Sequence, residues 1–114
     1  MEAINALLKQ HNKFKYAQIR TIEQLSDDTK AVTIVVQDDD GEEDLHTVRI
    51  EFKDIKSSRI LVNEVLGYLD MSSGITIIKE NDLYGFALGS GTAMLHVHNA
   101  PLYIVSSHIK IEEK

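Results

Sequence analysis

Three groupings of side chains in this chain have the types and spacing to do chemistry. Asp38-Asp39-Asp40-Gly41-Glu42-Glu43-Asp44 puts six carboxylates into seven residues. Carboxylates that dense can ligate a hard cation through oxygen, or draw in a basic macromolecule. His96-Val97-His98 sets two imidazoles two residues apart. On a strand both would face one side and could grip one metal ion, with His108 or His46 as a third ligand. Ser90, Ser106 and Ser107 can be matched on paper with His96 or His108 as nucleophile and base.

Each grouping meets a physical objection. A helix–loop–helix calcium loop needs oxygen ligands at its first, third and fifth positions, Gly at the sixth and a bidentate Glu at the twelfth. With Gly41 at the sixth, Asp38 and Asp40 fall at the third and fifth, but Val36 falls at the first and Thr47 at the twelfth. Both end ligands are missing, and the flanks read as strands. The His-x-His step is similar to that of the cupin family. The carboxylate expected a few residues on is replaced by Asn99-Ala100-Pro101-Leu102. His96, His98 and His108 are therefore weak metal candidates, exposed strand histidines are the alternative, and no cofactor is expected. The serines have no nucleophile elbow or oxyanion-hole pattern around them. Gly89-Ser90-Gly91 lacks the Lys and helix of a phosphate cradle. These absences point away from an enzyme.

The charge distribution favours the acidic stretch. The chain has 18 acids against 12 Lys and Arg; without the six of this segment the two counts are equal, so the segment carries the whole formal charge of −6. Close carboxylates repel and keep such a segment extended and solvated. Read structurally, it is a solvated hairpin tip. Read functionally, Asp38, Asp39, Asp40, Glu42, Glu43 and Asp44 form an anionic surface for a basic protein partner. No acid occurs from Ala3 to Ile22, whereas Lys9, Lys13, Lys15 and Arg20 do. Those bases could pair with the acidic segment within the fold, or between subunits of a homodimer. Nucleic acid is not an expected partner: the net charge is negative, Trp is absent, and Phe14 and Tyr16 are the only aromatics among the bases.

These groups must be positioned by a domain of 114 residues, 1–114, which would bury roughly 65% of its unfolded surface. With no cysteine there are no disulfides and no thiol chemistry. No run approaches the ~18 apolar residues of a membrane span, and the N-terminus has no basic and apolar leader pattern. A cytoplasmic location is expected. Ile4, Leu7, Leu8 and His11 predict a helix over 2–14. Strands are expected over 15–25 and 31–37, the second interior because Val32, Ile34 and Val36 lie on one face and Val35 on the other. Ser26-Asp27-Asp28-Thr29-Lys30 reads as the turn between them, and Asp40-Gly41 as a primed turn. Residues 45–53 alternate, with His46, Val48, Ile50 and Phe52 on one face. Residues 58–70 read two ways: Leu61, Val62, Val65, Leu66 and Leu69 fit a helical stripe that Ser57 or Ser58 could cap, and Arg59-Ile60-Leu61-Val62 would also sit in a strand; a short helix at about 62–70 is the favoured reading. Further strands are expected at Ile75–Lys79, Leu83–Leu88, Ala93–His98 and Leu102–Ile111. Gly85 and Ala87 leave one strand face nearly bare, for a packed helix or a small-ligand slot. The fold class is α+β: a mainly antiparallel, curled or barrel-like sheet of six to eight strands, an N-terminal helix and one short internal helix.

Val48-Arg49-Ile50-Glu51-Phe52-Lys53-Asp54-Ile55, then Gly85-Phe86, then Leu102-Tyr103-Ile104-Val105 and Ile109-Lys110-Ile111 follow in an order that resembles small bacterial β-rich proteins of the immunity type. The resemblance implies a protein encoded beside a secreted toxin, which it neutralises by binding. The expectation is a non-enzymatic inhibitor of a basic, nuclease-like toxin. The alternatives are a small-ligand- or metal-binding barrel and a homo-oligomeric structural protein.

Overall fold

A computed structural model describes residues 2–37 and 43–113. In chain order these form helix α1 (Glu2–Gln10), strands β1 (Gln18–Ser26), β2 (Thr29–Gln37) and β3 (Asp44–Arg59), helix α2 (Asn63–Leu66), strands β4 (Ile75–Glu80) and β5 (Leu83–Leu88), helix α3 (Met94–His98) and strand β6 (Tyr103–Glu113). The six strands build one antiparallel sheet in the order β1-β2-β3-β6-β5-β4. The α+β class is thus observed. The barrel-like closure is not: β1 and β4 stand at opposite ends of the order and do not pair, so the sheet stays open.

Alternation places the core. Val48, Ile50 and Phe52 of β3 are buried, while Lys53 beyond them is exposed. β2 buries residues on both faces, Val32 and Ile34 on one and Ala31 and Val35 on the other, as suits a strand between two neighbours. Ile4, Leu7 and Phe14 pack with Ile19, Ile34, Ile50, Phe86 and Ile104 in one cluster, where the Phe52 and Phe86 rings lie 5.2 Å apart. The nine-residue α1 is too short to persist alone. Burying Ile4 and Leu7, at about 1.5–3 kcal/mol each, holds it to the sheet.

A second, smaller cluster lies around Ala87, Val97, Ala100, Tyr103 and Val105. It exists because α3 packs on β5. A Cβ at Gly85 would come within 2.8 Å of the Met94 sulfur and 3.0 Å of Val97 Cγ2. The bare strand face therefore receives a helix, not a small molecule. That helix is the segment Ala93–His98 expected as a strand, and the correction matters for the histidines. The other internal helix is only α2: Val62 precedes it in extended conformation, and Ser57 and Ser58 belong to β3, so neither caps it.

The chain between α1 and β1 is unusual. Asn12, Lys13 and Phe14 all have positive φ (51°, 56° and 57°), as does Tyr16 (63°). Left-handed backbone costs about 1–2 kcal/mol at each non-glycine residue. Full burial of Phe14 and a hydrogen bond from Tyr16 N–H to the Met71 carbonyl (2.8 Å) offset it. Gly74 is required opposite, at φ 70°, because a Cβ there would collide with the Lys13 carbonyl. No helix among the described residues is long and apolar enough to cross a membrane.

Candidate functional site

The acidic segment connects β2 to β3, two adjacent strands whose last pairing is Gln37 with Asp44. Asp38, Asp39, Asp40 and Glu42, with the expected Asp40-Gly41 turn, lie outside the described residues. Glu43 is exposed. Asp44 is engaged by the fold itself. Its two carboxylate oxygens each accept a hydrogen bond of 3.2 Å from the Arg20 guanidinium, and Oδ1 accepts another from Gln37 Nε2 at 3.1 Å. Arg20, then Gln37, hold the Asp44 carboxyl below the usual carboxylate range. Arg20 also donates to Gln18 Oε1 at 2.9 and 3.1 Å. One of the six acids is therefore matched by one of the N-terminal bases and fixes the base of the hairpin. The pair is partly exposed, so its geometry says more than its energy.

Beside this ion pair the surface dips. A hollow of about 310 Å³ is lined by Tyr16, Gln18 and Gln37, with Leu66, Leu69 and Met71 as apolar lining. Tyr16 is 82% exposed. Tyr68, between the lining residues Gly67 and Leu69 in sequence, is 87% exposed. A second hollow of about 360 Å³ is lined by Ile22, Leu61, Val62 and Asn63. In the wall of this second hollow Asn63 Oδ1 accepts the Ile22 N–H (3.0 Å) and so ties α2 to the edge strand β1. The two exposed aromatics stand by a hollow whose accessible lining is more polar than apolar. The sequence reading missed Tyr68 and valued Tyr16 only as a member of a basic stretch. The readable signal was a bulky aromatic in two loop segments, Lys15-Tyr16 and Gly67-Tyr68.

The histidines are not brought together as a metal site. His96 and His98 lie on α3, where residues two apart diverge by about 200° around the axis. His96 Nδ1 accepts the Thr92 N–H (2.9 Å), and the His98 ring sits edge-on to Tyr103 at 5.2 Å. His108 lies on β6 with Nδ1 2.9 Å from Ser107 Oγ. His46 instead neighbours His11, ring centroids 5.3 Å apart, and His11 stacks on Phe14 at 4.9 Å. Among the described residues no group of three or more His, Asp or Glu is arranged to hold a metal ion.

One paper match between serine and histidine is real in space. Ser107 Oγ donates to Asp54 Oδ2 (2.6 Å) and contacts His108 Nδ1. The order is wrong for nucleophilic catalysis, where the imidazole stands between hydroxyl and carboxylate. Here the serine stands in the middle: its proton goes to Asp54, and Nδ1–H of His108 donates to Oγ. Ser107, then Lys56 at 3.0 Å, hold the Asp54 carboxyl below its ordinary value. The trio is a hydrogen-bond network at the surface.

No protein family, curated protein or solved structure matches this chain.

Proposed function

We propose that this chain is a non-enzymatic binding protein, an immunity-type inhibitor that neutralises a basic, nuclease-like toxin through the β2–β3 connection. The observation that carries this reading is the concentration of the chain's entire surplus charge in one hairpin connection. Asp44 is tied to Arg20 within the fold, so this reading assigns the docking role to Asp38, Asp39, Asp40, Glu42 and Glu43. Carboxylates presented by a hairpin imitate the phosphates that a nuclease groove is built to hold. They accelerate encounter with a basic surface and repel acidic ones. The serine-centred order of Asp54, Ser107 and His108 supports a role without chemistry.

The test uses the purified toxin domain encoded by the reading frame next to this one. Its association rate is measured by stopped flow at low and high salt, against the wild-type chain and a variant with Asp38, Asp39, Asp40, Glu42 and Glu43 changed to Asn or Gln. We expect association to slow by about tenfold or more at low salt, and its salt dependence to flatten. An unchanged rate rejects the acidic segment as the docking element.

A further inference from the structure

The surface over α2 carries an apolar ridge. The turns through it close from residue i to residue i+3: Val65 N–H donates to the Val62 carbonyl at 3.1 Å, and Tyr68 N–H to the Val65 carbonyl at 3.0 Å. At three residues per turn, side chains three apart stand in one row. Val62, Val65 and Tyr68 are that row, 64%, 39% and 87% exposed, while Leu66 faces the core at 2%. Beside the ridge lies the hollow of about 360 Å³, mostly apolar, to which Val62 also contributes with Ile22, Ile60 and Leu61. A projection and a recess on one patch suit a two-fold interface between identical chains, because each copy presents both. Backbone pairing along the β1 edge is not the route. The Ile22 N–H, which points out of that edge, already donates to Asn63 Oδ1.

Two charges select what covers the patch. Arg59 and Glu64 are exposed, stand at opposite ends of the run Ile60-Leu61-Val62-Asn63, and enter no ion pair among the described residues. Arg59 is held in place: one donor goes to the Ala100 carbonyl at 3.2 Å, and its guanidinium lies 5.6 Å over the Tyr103 ring. A partner surface of one sign attracts one of these charges and repels the other. A second copy of the chain satisfies both. Val62 is extended, at φ −68° and ψ 150°. When two copies of the run lie antiparallel about an axis between Leu61 and Val62, position 59 of each meets position 64 of the other. We infer that this patch is a self-association surface, through which two copies pack ridge into hollow about a two-fold axis, with Arg59 of each set against Glu64 of the other. The inference is independent of the acidic connection and of its reading as a dock.

The test is sedimentation equilibrium of the full chain from about 10 μM to about 1 mM, the range in which an interface of modest size associates. The average mass should rise from that of one chain towards that of two and stop there. Val62→Ser combined with Tyr68→Ser, both at exposed positions, should weaken association about tenfold or more with the thermal transition little moved. Arg59→Glu alone and Glu64→Arg alone should each weaken it about threefold or more, because each sets like charges together twice. An equimolar mixture of those two single variants should recover the wild-type association, since both contacts between copies again join opposite signs. Arg59→Glu also loses the Ala100 hydrogen bond and the Tyr103 stack, which mixing does not restore, so recovery reports the contact between copies. A chain that stays monomeric to about 1 mM, growth beyond two copies, or association indifferent to the Val62 and Tyr68 substitutions overturns the surface. A mixture no tighter than either single variant overturns the two-fold arrangement and the inference with it.

Discussion

At Gly85 and Gly74 the space of a missing side chain is filled by other atoms, and the two fillings differ in stiffness. At Gly85 the intruding atoms are the Met94 sulfur and the Val97 methyls, ends of side chains that can give way. At Gly74 the intruder is the Lys13 carbonyl, part of a backbone already in left-handed conformation, and Gly74 itself stands at φ 70°. Gly67 has ordinary φ and only Gln18 Nε2 within reach, at 3.6 Å. Alanine at the three positions should therefore rank. Gly74→Ala should cost the most, about 2–4 kcal/mol; Gly85→Ala about 1–3 kcal/mol by overpacking; Gly67→Ala nothing or a small gain. Urea unfolding midpoints measure all three. A Gly74 variant as stable as the Gly67 variant would show that the 12–16 backbone is not fixed against that turn. Gly85 was legible in the sequence, because large residues alternate with Gly and Ala in Tyr84-Gly85-Phe86-Ala87-Leu88. Gly74 was legible only as a turn residue. Its partner Lys13 is distant in sequence, and nothing in Asn12-Lys13-Phe14 announces a left-handed turn.

Helices α1 and α3 show where pattern reading succeeds and fails at the level of elements. α1 offers Ile4, Leu7 and Leu8, a stripe long enough to exclude a strand. α3 offers Met94, Val97 and two histidines, and over five residues the periods of two and of 3.6 are indistinguishable. What decides for helix is tertiary: Met94 and Val97 fill the Gly85 space, and Glu80 accepts the Met94 N–H at 2.9 Å. The end of α1 has a pH-dependent lock. His11 N–H continues the helix to the Leu7 carbonyl (3.2 Å), while its ring packs between Phe14 and His46 with Nε2 buried and unpartnered. Burial lowers its pKa from 6.5; Glu113 opposes the shift and His46 adds to it. The unfolded chain therefore binds a proton near 6.5 that the folded chain accepts only at lower pH. The stability is complete above that value and is lost as pH falls from it towards the folded value. The urea midpoint should drop between about pH 7.5 and about pH 5.5, less so in His11→Phe and more steeply in Glu113→Gln. Parallel curves for all three would assign the drop to other groups. Asp44 and Asp54, with lowered carboxyl values, lose their contributions only in more acid solution.

Across the whole molecule, the strand order sets what can fold before what. β6 is last in the chain yet lies between β3 and β5, pairing along β3 from Val48–Glu113 to Arg59–Tyr103 and along β5 from Tyr84–Ser106 to Ala87–Tyr103. Without it the sheet falls into a β1–β2–β3 meander and a β4–β5 hairpin, with Ile104 missing from the main core and Tyr103 and Val105 from the second. The strands themselves were readable from alternation, but this insertion was not. Alternation reports which face a residue takes and is silent about neighbours far along the chain. The same holds for the charges: the acidic run is plain in the sequence, whereas the Arg20–Asp44 pair depends on β1 and β3 both flanking β2. Long-range closure through the last strand should make folding cooperative and comparatively slow. A chain ended at Pro101 should show no cooperative thermal transition and no dispersed amide spectrum, although it keeps five of the six strands. A folded meander in that truncated chain, retaining Arg20–Asp44, would mean that the β1–β2–β3 half is stable alone and that β6 only appends the β4–β5 hairpin. The shared core argues against it: Phe52 of β3 packs on Phe86 of β5, and β6 lies between their strands.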